Sequence, residues 1–176
     1  MPTIRKMTER DIDSVRAVDA AGFGAWWKQV KGEEAILPPR KRSNLLACLA
    51  KGGEGSFVAE QDGKVIGFIF SRTWGKVGWF GAFAVLPEFQ GNGIGKELMA
   101  ASLDFLRSAN LSVIGLETMP EVPYNLGLYL RQGFEARYPT LLLSRQLSAR
   151  GGEPAGLQLW SSAGEDARQR WLKDLR

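Results

Sequence analysis

The spacing of apolar residues predicts a sheet in the first half of the chain. Residues 2–7 read as a short strand, and the runs 56–60 and 64–71 are rich in Val, Ile and Phe. Asp62-Gly63 lies between these two runs, which favours a tight hairpin. A further apolar run over 76–85 is expected to pair with the strand before it.

Apolar residues at helical spacing predict three helices between and after these strands. Thr8 is a candidate cap for a first helix, whose apolar face is expected to stop at Gly22 and Gly24. A second helix is expected around 45–49. A third begins after the glycines of 91–95, and Asn110 is expected to close it. Its apolar face is formed by Ile94, Leu98, Ala101 and Phe105.

The second half of the chain predicts a strand over 112–118, a helix over 123–131 stopped by Gly133, and strands over 134–138 and 140–147. This order indicates an α/β (α+β) fold with a mixed sheet of six to seven strands flanked by helices. A linker at 151–154 precedes a tail helix with Ala167, Trp171 and Leu175 on one face. We therefore expect a domain over 1–149, followed by a linker and C-terminal helix over 150–176.

Composition narrows the function classes. A chain of 176 residues suits a single hydrophobic core. The net charge of +4 is scattered along the chain, which argues against a nucleic-acid partner. A charge of this size suits a phosphate-rich ligand or an acidic substrate. The sequence has no run of about 18 apolar residues, which is the length that a membrane-spanning helix needs. The single cysteine, Cys48, and the absence of histidine argue against a disulfide and a metal site. A reduced, cytoplasmic setting is expected.

The segment 90–96 has the form of an anion-binding loop. Glycines before a helix let the backbone approach a ligand, and the first turn presents unpaired N–H groups. A P-loop would need glycine at position 90 and Ser or Thr at 97, where the chain has Gln90 and Glu97. The dinucleotide fingerprint would need a small residue in place of Lys96. The spacing excludes both motifs.

Residues 85–95, VLPEFQGNGIG, resemble the acetyl-coenzyme A motif of the GNAT superfamily (GCN5-related N-acetyltransferases). The resemblance covers residues 2–147. It implies a sheet splayed between the strand ending at Val85 and the strand at 112–118. It further implies that Phe83, Ala84 and Val85 pair with the pantetheine arm. The expected pyrophosphate site is the segment Gln90, Gly91, Asn92, Gly93, Ile94, Gly95 and Lys96.

A second motif, Tyr129-x-x-x-Gly133-Phe134, resembles the end of the family's last helix. The resemblance implies that Tyr129 protonates the departing thiolate, a role that suits a phenol of pKa about 10. The family often has an asparagine seven residues before this tyrosine. Here Asn125 lies only four before it, and it is retained as a candidate cofactor contact.

The general base and the acceptor pocket are less clearly marked. Many family members have a glutamate where this chain has Trp79, so Glu117 is the next candidate, acting directly or through water, and Glu121 is a weaker one. The alternative for Glu117 is a surface acid at a strand end. The candidate acceptor-pocket residues are Trp26, Trp27 and Trp74, and the alternative is that these tryptophans belong to the core.

The resemblance therefore implies an acetyl-CoA-dependent N-acetyltransferase without a metal, which passes an acetyl or short acyl group to a primary amine by direct attack. The alternative is a non-catalytic sensor or scaffold domain that binds acyl-CoA. The acceptor is expected to be a small-molecule or peptide amine, and a homodimer is left open. The sequence leaves the identity of the acceptor and the length of the acyl chain undetermined.

Overall fold

The computed structural model describes residues 2–32, 36–119, 122–137 and 160–174. The chain divides into two compact units, Met1–Tyr138 and Pro139–Arg176. The strands are β1 (Thr3–Lys6), β2 (Phe57–Gln61), β3 (Lys64–Trp74), β4 (Val77–Val85) and β5 (Val113–Gly115). The helices are α1 (Ile12–Lys31), α2 (Arg42–Gly52), α3 (Ile94–Ser108), α4 (Pro123–Arg131) and, in the second unit, α5 (Glu165–Asp174).

The described strands form one mixed sheet in the order β1-β2-β3-β4-β5. The first four are antiparallel neighbours, and β5 is parallel to β4. The hairpin predicted at Asp62-Gly63 joins β2 to β3, and both residues have positive φ, 51° and 74°, as a two-residue hairpin turn requires. The hydrophobic pattern therefore predicted this part of the sheet correctly.

The sheet opens between β4 and β5. Only Val77–Trp79 of β4 pairs with β5, whereas β4 follows β3 as far as Val85. Two residues of β4, Gly81 and Ala82, oppose the single residue Phe70 of β3, which is a β-bulge. A bulge bends its strand, so the second half of β4 diverges from β5. We call the resulting opening, beside residues 80–85, the fork.

Helices cover both faces of the sheet. The glycine positions show this, because a Cβ on Gly22 of α1 would lie 2.9 Å from the Cβ of Ala84, whereas one on Gly95 of α3 would lie 3.2 Å from the ring of Phe83. Neighbouring residues of a strand point to opposite faces, so α1 and α3 lie on opposite sides of β4. On the α3 side, the buried hydroxyls of Ser71 and Ser102 lie 2.6 Å apart.

The first helix is longer than the sequence pattern predicts. The expected end at Gly22 and Gly24 was wrong, because α1 continues to Lys31 and ends at Gly32, where φ is 101°. A glycine inside a helix costs about 1 kcal/mol relative to alanine, which packing can offset. The close approach of α1 to β4 at Ala84 requires the missing side chain of Gly22. The extension carries Phe23 and Trp26 along the sheet.

Other boundaries also differ. The strand expected over 112–118 is limited to Val113–Gly115, because the fork removes the partner beyond Trp79. Residues 134–137 are not in a strand, contrary to the expectation, and the strand expected over 140–147 lies outside the described residues. The described part of the sheet therefore has five strands rather than six to seven. The domain boundary expected near residue 150 stays a prediction.

An ion pair fixes the start of α1 against the sheet. Arg5 of β1 donates to both oxygens of Asp11, at 2.8 and 2.7 Å, and the amide of Thr8 donates to the same carboxylate at 2.8 Å. Asp11 is buried, and the hydrogen bonds from Arg5 and Thr8 lower its pKa from 3.8 to about 2. The ionised carboxylate therefore stabilises the folded state.

We expect Asp11→Asn to reduce the free energy of unfolding by about 2 kcal/mol at neutral pH. Because the pKa of Asp11 is lowered, its contribution is complete above pH 4 and is lost as the pH falls towards 2. Urea unfolding at pH 7 and pH 3 measures this difference. Asp13→Asn is the matched control, because Asp13 pairs with Arg42 at the surface and its side chain is 73% exposed. Equal losses for the two variants would contradict the expectation.

Candidate active site

A cavity of about 660 Å³ lies at the fork and is lined from both faces of the sheet. On one face, α1 contributes Gly22, Phe23, Ala25, Trp26 and Gln29. On the other face, the lining comes from the segment around α4, with Met119, Val122, Tyr124, Asn125, Leu128 and Tyr129. The end of β4 and the glycine loop complete the wall. Elements distant in sequence are thus brought to one opening because β4 and β5 separate there.

Side-chain hydrogen bonds hold the glycine loop in place. The Gln90 amide donates to the Val85 carbonyl at 2.9 Å, and the Asn92 amide donates to the Phe89 carbonyl at 3.3 Å. Gly91 and Gly93 have φ values of 82° and 85°, in the left-handed region that side chains rarely adopt. The loop can therefore turn sharply into α3 with its backbone towards the cavity.

The loop leaves five consecutive amides without partners. The Gln90 N–H donates to the Pro87 carbonyl at 3.2 Å, and the Lys96 N–H donates to the Gly93 carbonyl at 2.9 Å. Among the described residues, the N–H groups of positions 91–95 have no hydrogen-bond acceptor. The exposed Lys96 side chain stands in the first turn of α3. Free N–H groups, the positive end of the helix dipole and a cation are together suited to a phosphate or diphosphate.

The last residues of β4 provide an open strand edge in the same cavity. Phe83, Ala84 and Val85 line the cavity and are paired with β3 on their other side. The pairing of β4 with β5 ends at Trp79, so the fork side of 83–85 has no strand partner in the described part of the chain. An extended, amide-containing ligand can add there in the manner of a strand.

Tyr129 lies against the cavity from α4. It is 9% exposed and packs on the rings of Phe80 and Phe134, with centroids 6.1 and 6.4 Å away. Burial raises the pKa of Tyr129 to about 12, and a hydrogen bond with the Thr118 side chain opposes the rise. The phenol therefore keeps its proton throughout the neutral range.

The structure brings most of the predicted site residues together. Tyr129, Asn125 and Trp26 line the cavity, and so do most of the residues predicted to bind the cofactor. These are Phe83, Ala84, Val85, Gln90, Gly91, Gly93, Ile94, Gly95 and Lys96. Asn92 instead braces the loop from outside the lining. Together these residues join an anion-binding loop, an open strand edge and a buried phenol at one place.

Three further predicted residues do not line the cavity. Glu117 is exposed and lies two residues beyond the end of β5. Trp27 packs beside Trp26, with ring centroids 5.5 Å apart, and Trp74 is 53% exposed near the end of the sheet. Glu121 lies outside the described residues. The roles assigned to these side chains stay predictions.

Sequence reasoning missed several residues of the site. Phe23 and Gln29 were overlooked because α1 was expected to end before them. Thr118, which bonds to Tyr129, lies three residues beyond the end of β5 and lacks any motif of its own. The indole nitrogen of Trp26 is buried without a hydrogen-bond partner among the described residues. A polar group in that state is costly unless a ligand satisfies it.

The sequence motif over 85–95 and this geometry agree with a known family. The model of the acetyltransferase (GNAT) family matches residues 22–134, which include the whole cavity lining. The chain belongs to the GNAT family. An uncharacterised N-acetyltransferase from Archaeoglobus fulgidus is 39% identical over 123 residues, which are 64% of this chain and 79% of that protein. The protein is thus an N-acetyltransferase.

A second relative and a solved structure are also similar to this chain. A second uncharacterised N-acetyltransferase, from Methanocaldococcus jannaschii, is 29% identical over 76% of this chain and 78% of its own length. The fold resembles that of the PaiA N-acetyltransferase of Thermoplasma acidophilum, solved in complex with coenzyme A. The TM-score is 0.68 at 18% identity, covering 78% of this chain and 91% of that one. At this identity the likeness concerns the fold alone.

Two further findings concern the described residues only. The described residues contain no group of three or more Asp, Glu, Cys or His side chains placed to hold a metal ion. None of their helices has the length and apolarity needed to cross a membrane.

Proposed function

We propose that this GNAT protein transfers the acetyl group of acetyl-CoA to a primary amine by direct attack on the thioester. The observation that carries the proposal is that the loop with unpaired amides at 91–95, of which all residues but Asn92 line the cavity, meets the protonated phenol of Tyr129 there. The first group suits the diphosphate of coenzyme A, and the second suits its departing sulfur.

The residues present fit the donor. The amides of 91–95 and the Lys96 ammonium would hold the diphosphate. The free edge of Phe83, Ala84 and Val85 would pair with the amides of the pantetheine arm, which places the thioester inside the fork. Asn125, on α4 beside this path, offers an amide for a further hydrogen bond.

The chemistry follows from these positions. The amine nitrogen forms a bond to the thioester carbonyl carbon, and the carbon–sulfur bond then breaks. Backbone N–H groups at the fork stabilise the negative charge that develops on the carbonyl oxygen. Tyr129 gives its proton to the departing thiolate and recovers one from solvent. Because the pKa of Tyr129 is about 12, the phenol is protonated at the start of each cycle.

The proton lost by the amine needs a separate acceptor. We propose Glu117 in this role through a bridging water, because the exposed Glu117 lies outside the cavity lining. Trp26 lines the cavity and is proposed to contact the acceptor. Trp27 and Trp74, which lie outside the lining, are proposed to border the acceptor pocket at a greater distance. The acceptor itself is a small-molecule or peptide amine.

Release of thiol from acetyl-CoA tests the proposal. A panel of peptide, polyamine, aminoglycoside and simple primary amines is incubated with the protein, and free coenzyme A is measured. Amine-dependent release, with the acetylated amine identified by mass spectrometry, is the expected result. Tight binding of acetyl-CoA without release for any amine would instead identify an acyl-CoA sensor.

A further inference from the structure

A group of side chains beside the fork is not used by the proposed chemistry. Arg72 of β3 is the register partner of Trp79 of β4, and Trp74 is the partner of Val77. Directly paired residues, and residues two apart on one strand, share a face of the sheet. Ser71 bonds to α3, so Arg72 and its neighbours project from the opposite face, on which α1 lies.

Arg72 has no counter-charge among the described residues. Its Nε atom is buried and has no hydrogen-bond partner among the described residues, and its side chain forms no ion pair with them. Its Cζ atom lies 5.3 Å from the centre of the Trp74 ring, so the guanidinium is held over an aromatic face. A buried donor of a charged group that stays unpaired is costly, whereas an incoming anion would remove that cost.

Apolar surface surrounds this cation on the same face. Val77 pairs with Val113 of β5, and Trp74, Val77 and Val113 are 53, 38 and 55% exposed. Trp79 covers Gly115, where a side chain would collide with the indole ring. We call the set Arg72, Trp74, Val77, Trp79 and Val113 the β3–β4 platform. It combines flat apolar surface with one unpaired cation.

The platform borders the reaction centre. Tyr129 packs on Phe80 with ring centroids 6.1 Å apart, so the phenol marks the part of the fork next to Phe80. Trp79 is the preceding residue and points to the other face. Arg72 is one strand further, about 5 Å across the sheet. The platform residues do not line the cavity, so an acceptor with its amine at the fork would extend one strand spacing across β4 to reach Arg72.

We propose that Arg72 binds a carboxylate of the acceptor, so that the preferred substrates are amines carrying an acidic group and an apolar portion. The inference rests on the proposed function and specifies its acceptor. A guanidinium is suited to a carboxylate because its planar N–H groups can form two parallel hydrogen bonds. Trp74 and Trp79 would contact the apolar portion.

Two peptide probes that differ by one charge test this assignment. The tripeptide amides Gly-Phe-Glu and Gly-Phe-Gln have the same amine and the same aromatic group, but only the first has a carboxylate. We expect the wild-type protein to acetylate the Glu probe with the lower KM. Arg72→Gln is expected to raise that KM by about 10- to 100-fold, with kcat and the KM of the Gln probe unchanged. Arg72→Lys should restore part of the difference, because a charge without the planar geometry remains.

A binding measurement separates this inference from the proposed reaction. The Nε–H signal of Arg72, assigned by its loss in Arg72→Lys, is followed by NMR while each probe is added in the presence of coenzyme A. A shift with the Glu probe alone supports the assignment whether or not thiol is released. Arg107→Gln, which removes an exposed arginine of α3, is the control for a general loss of positive charge.

Two results would overturn the assignment. One is an unshifted Arg72 signal with the Glu probe, and the other is an equal rise of KM for both probes in Arg72→Gln. Failure of the proposed reaction has a different signature, which is the absence of thiol release from acetyl-CoA with any amine.

Discussion

Replacement of Tyr129 by phenylalanine is expected to lower kcat by about 10²- to 10⁴-fold, the usual contribution of a general acid. The ring stays in place against Phe80 and Phe134, so packing is retained and only the hydroxyl is lost. Without it, the sulfur must leave as an unprotonated thiolate beside the rings of Phe80 and Phe134. Steady-state thiol release at saturating acetyl-CoA measures the effect.

The pH dependence sharpens this expectation. Because burial raises the pKa of Tyr129 to about 12, the acid form persists across the alkaline range used in assays, and no loss of kcat from deprotonation is expected below about pH 10. The dissociation constant of coenzyme A for Tyr129→Phe should match that of the wild type, whereas the urea midpoint should fall slightly because the hydrogen bond with Thr118 is lost. A variant that keeps more than half of the wild-type kcat would refute the assignment of the acid.

Gly93→Glu is expected to weaken coenzyme A binding by at least about 100-fold, the equivalent of two charge-assisted contacts. Gly93 precedes α3 with φ at 85°, which a side chain tolerates poorly, and its amide is one of the five unpaired donors. The substitution also places a negative charge where the helix dipole and Lys96 favour an anion. Isothermal titration with coenzyme A gives the dissociation constants.

Gly63→Glu separates the ligand effect from backbone strain. Gly63 has φ at 74° in the β2–β3 turn, and a Cβ there would have no neighbour within 4 Å, as at Gly93. Both variants should therefore lose similar stability, while only Gly93→Glu loses affinity. If the two bind coenzyme A equally well, the loop at 91–95 does not hold the diphosphate.

The sequence predicted the parts of the fold that depend on local patterns. The turn at Asp62-Gly63 was predictable because two adjacent positive φ values favour this pair of residues. The amphipathic spacing from Ile94 to Phe105 similarly predicted α3, which ends close to Asn110. The glycine loop was predictable because its function requires particular residue types in consecutive positions.

Features set by tertiary contacts were not predictable in this way. Gly22 reads as a helix breaker, and only its contact with Ala84 explains why it lies inside α1. The same misjudgement hid Phe23 and Gln29 as cavity residues. Arg72 gave no signal, because the proposal for it depends on the lack of a partner among the described residues and on the register that places it opposite Trp79. A single sequence contains no direct record of such pairings.

The fork also bears on self-association. A strand edge with free N–H and C=O groups is a template for pairing with other chains and thus a route to aggregation. Here the free edge at Phe83, Ala84 and Val85 forms part of a cavity wall, with α1 on one face and α4 on the other. A second polypeptide strand bearing side chains would have to displace those helices. The helices thus restrict the access of a second chain to this edge, whereas a slender ligand would fit beside it.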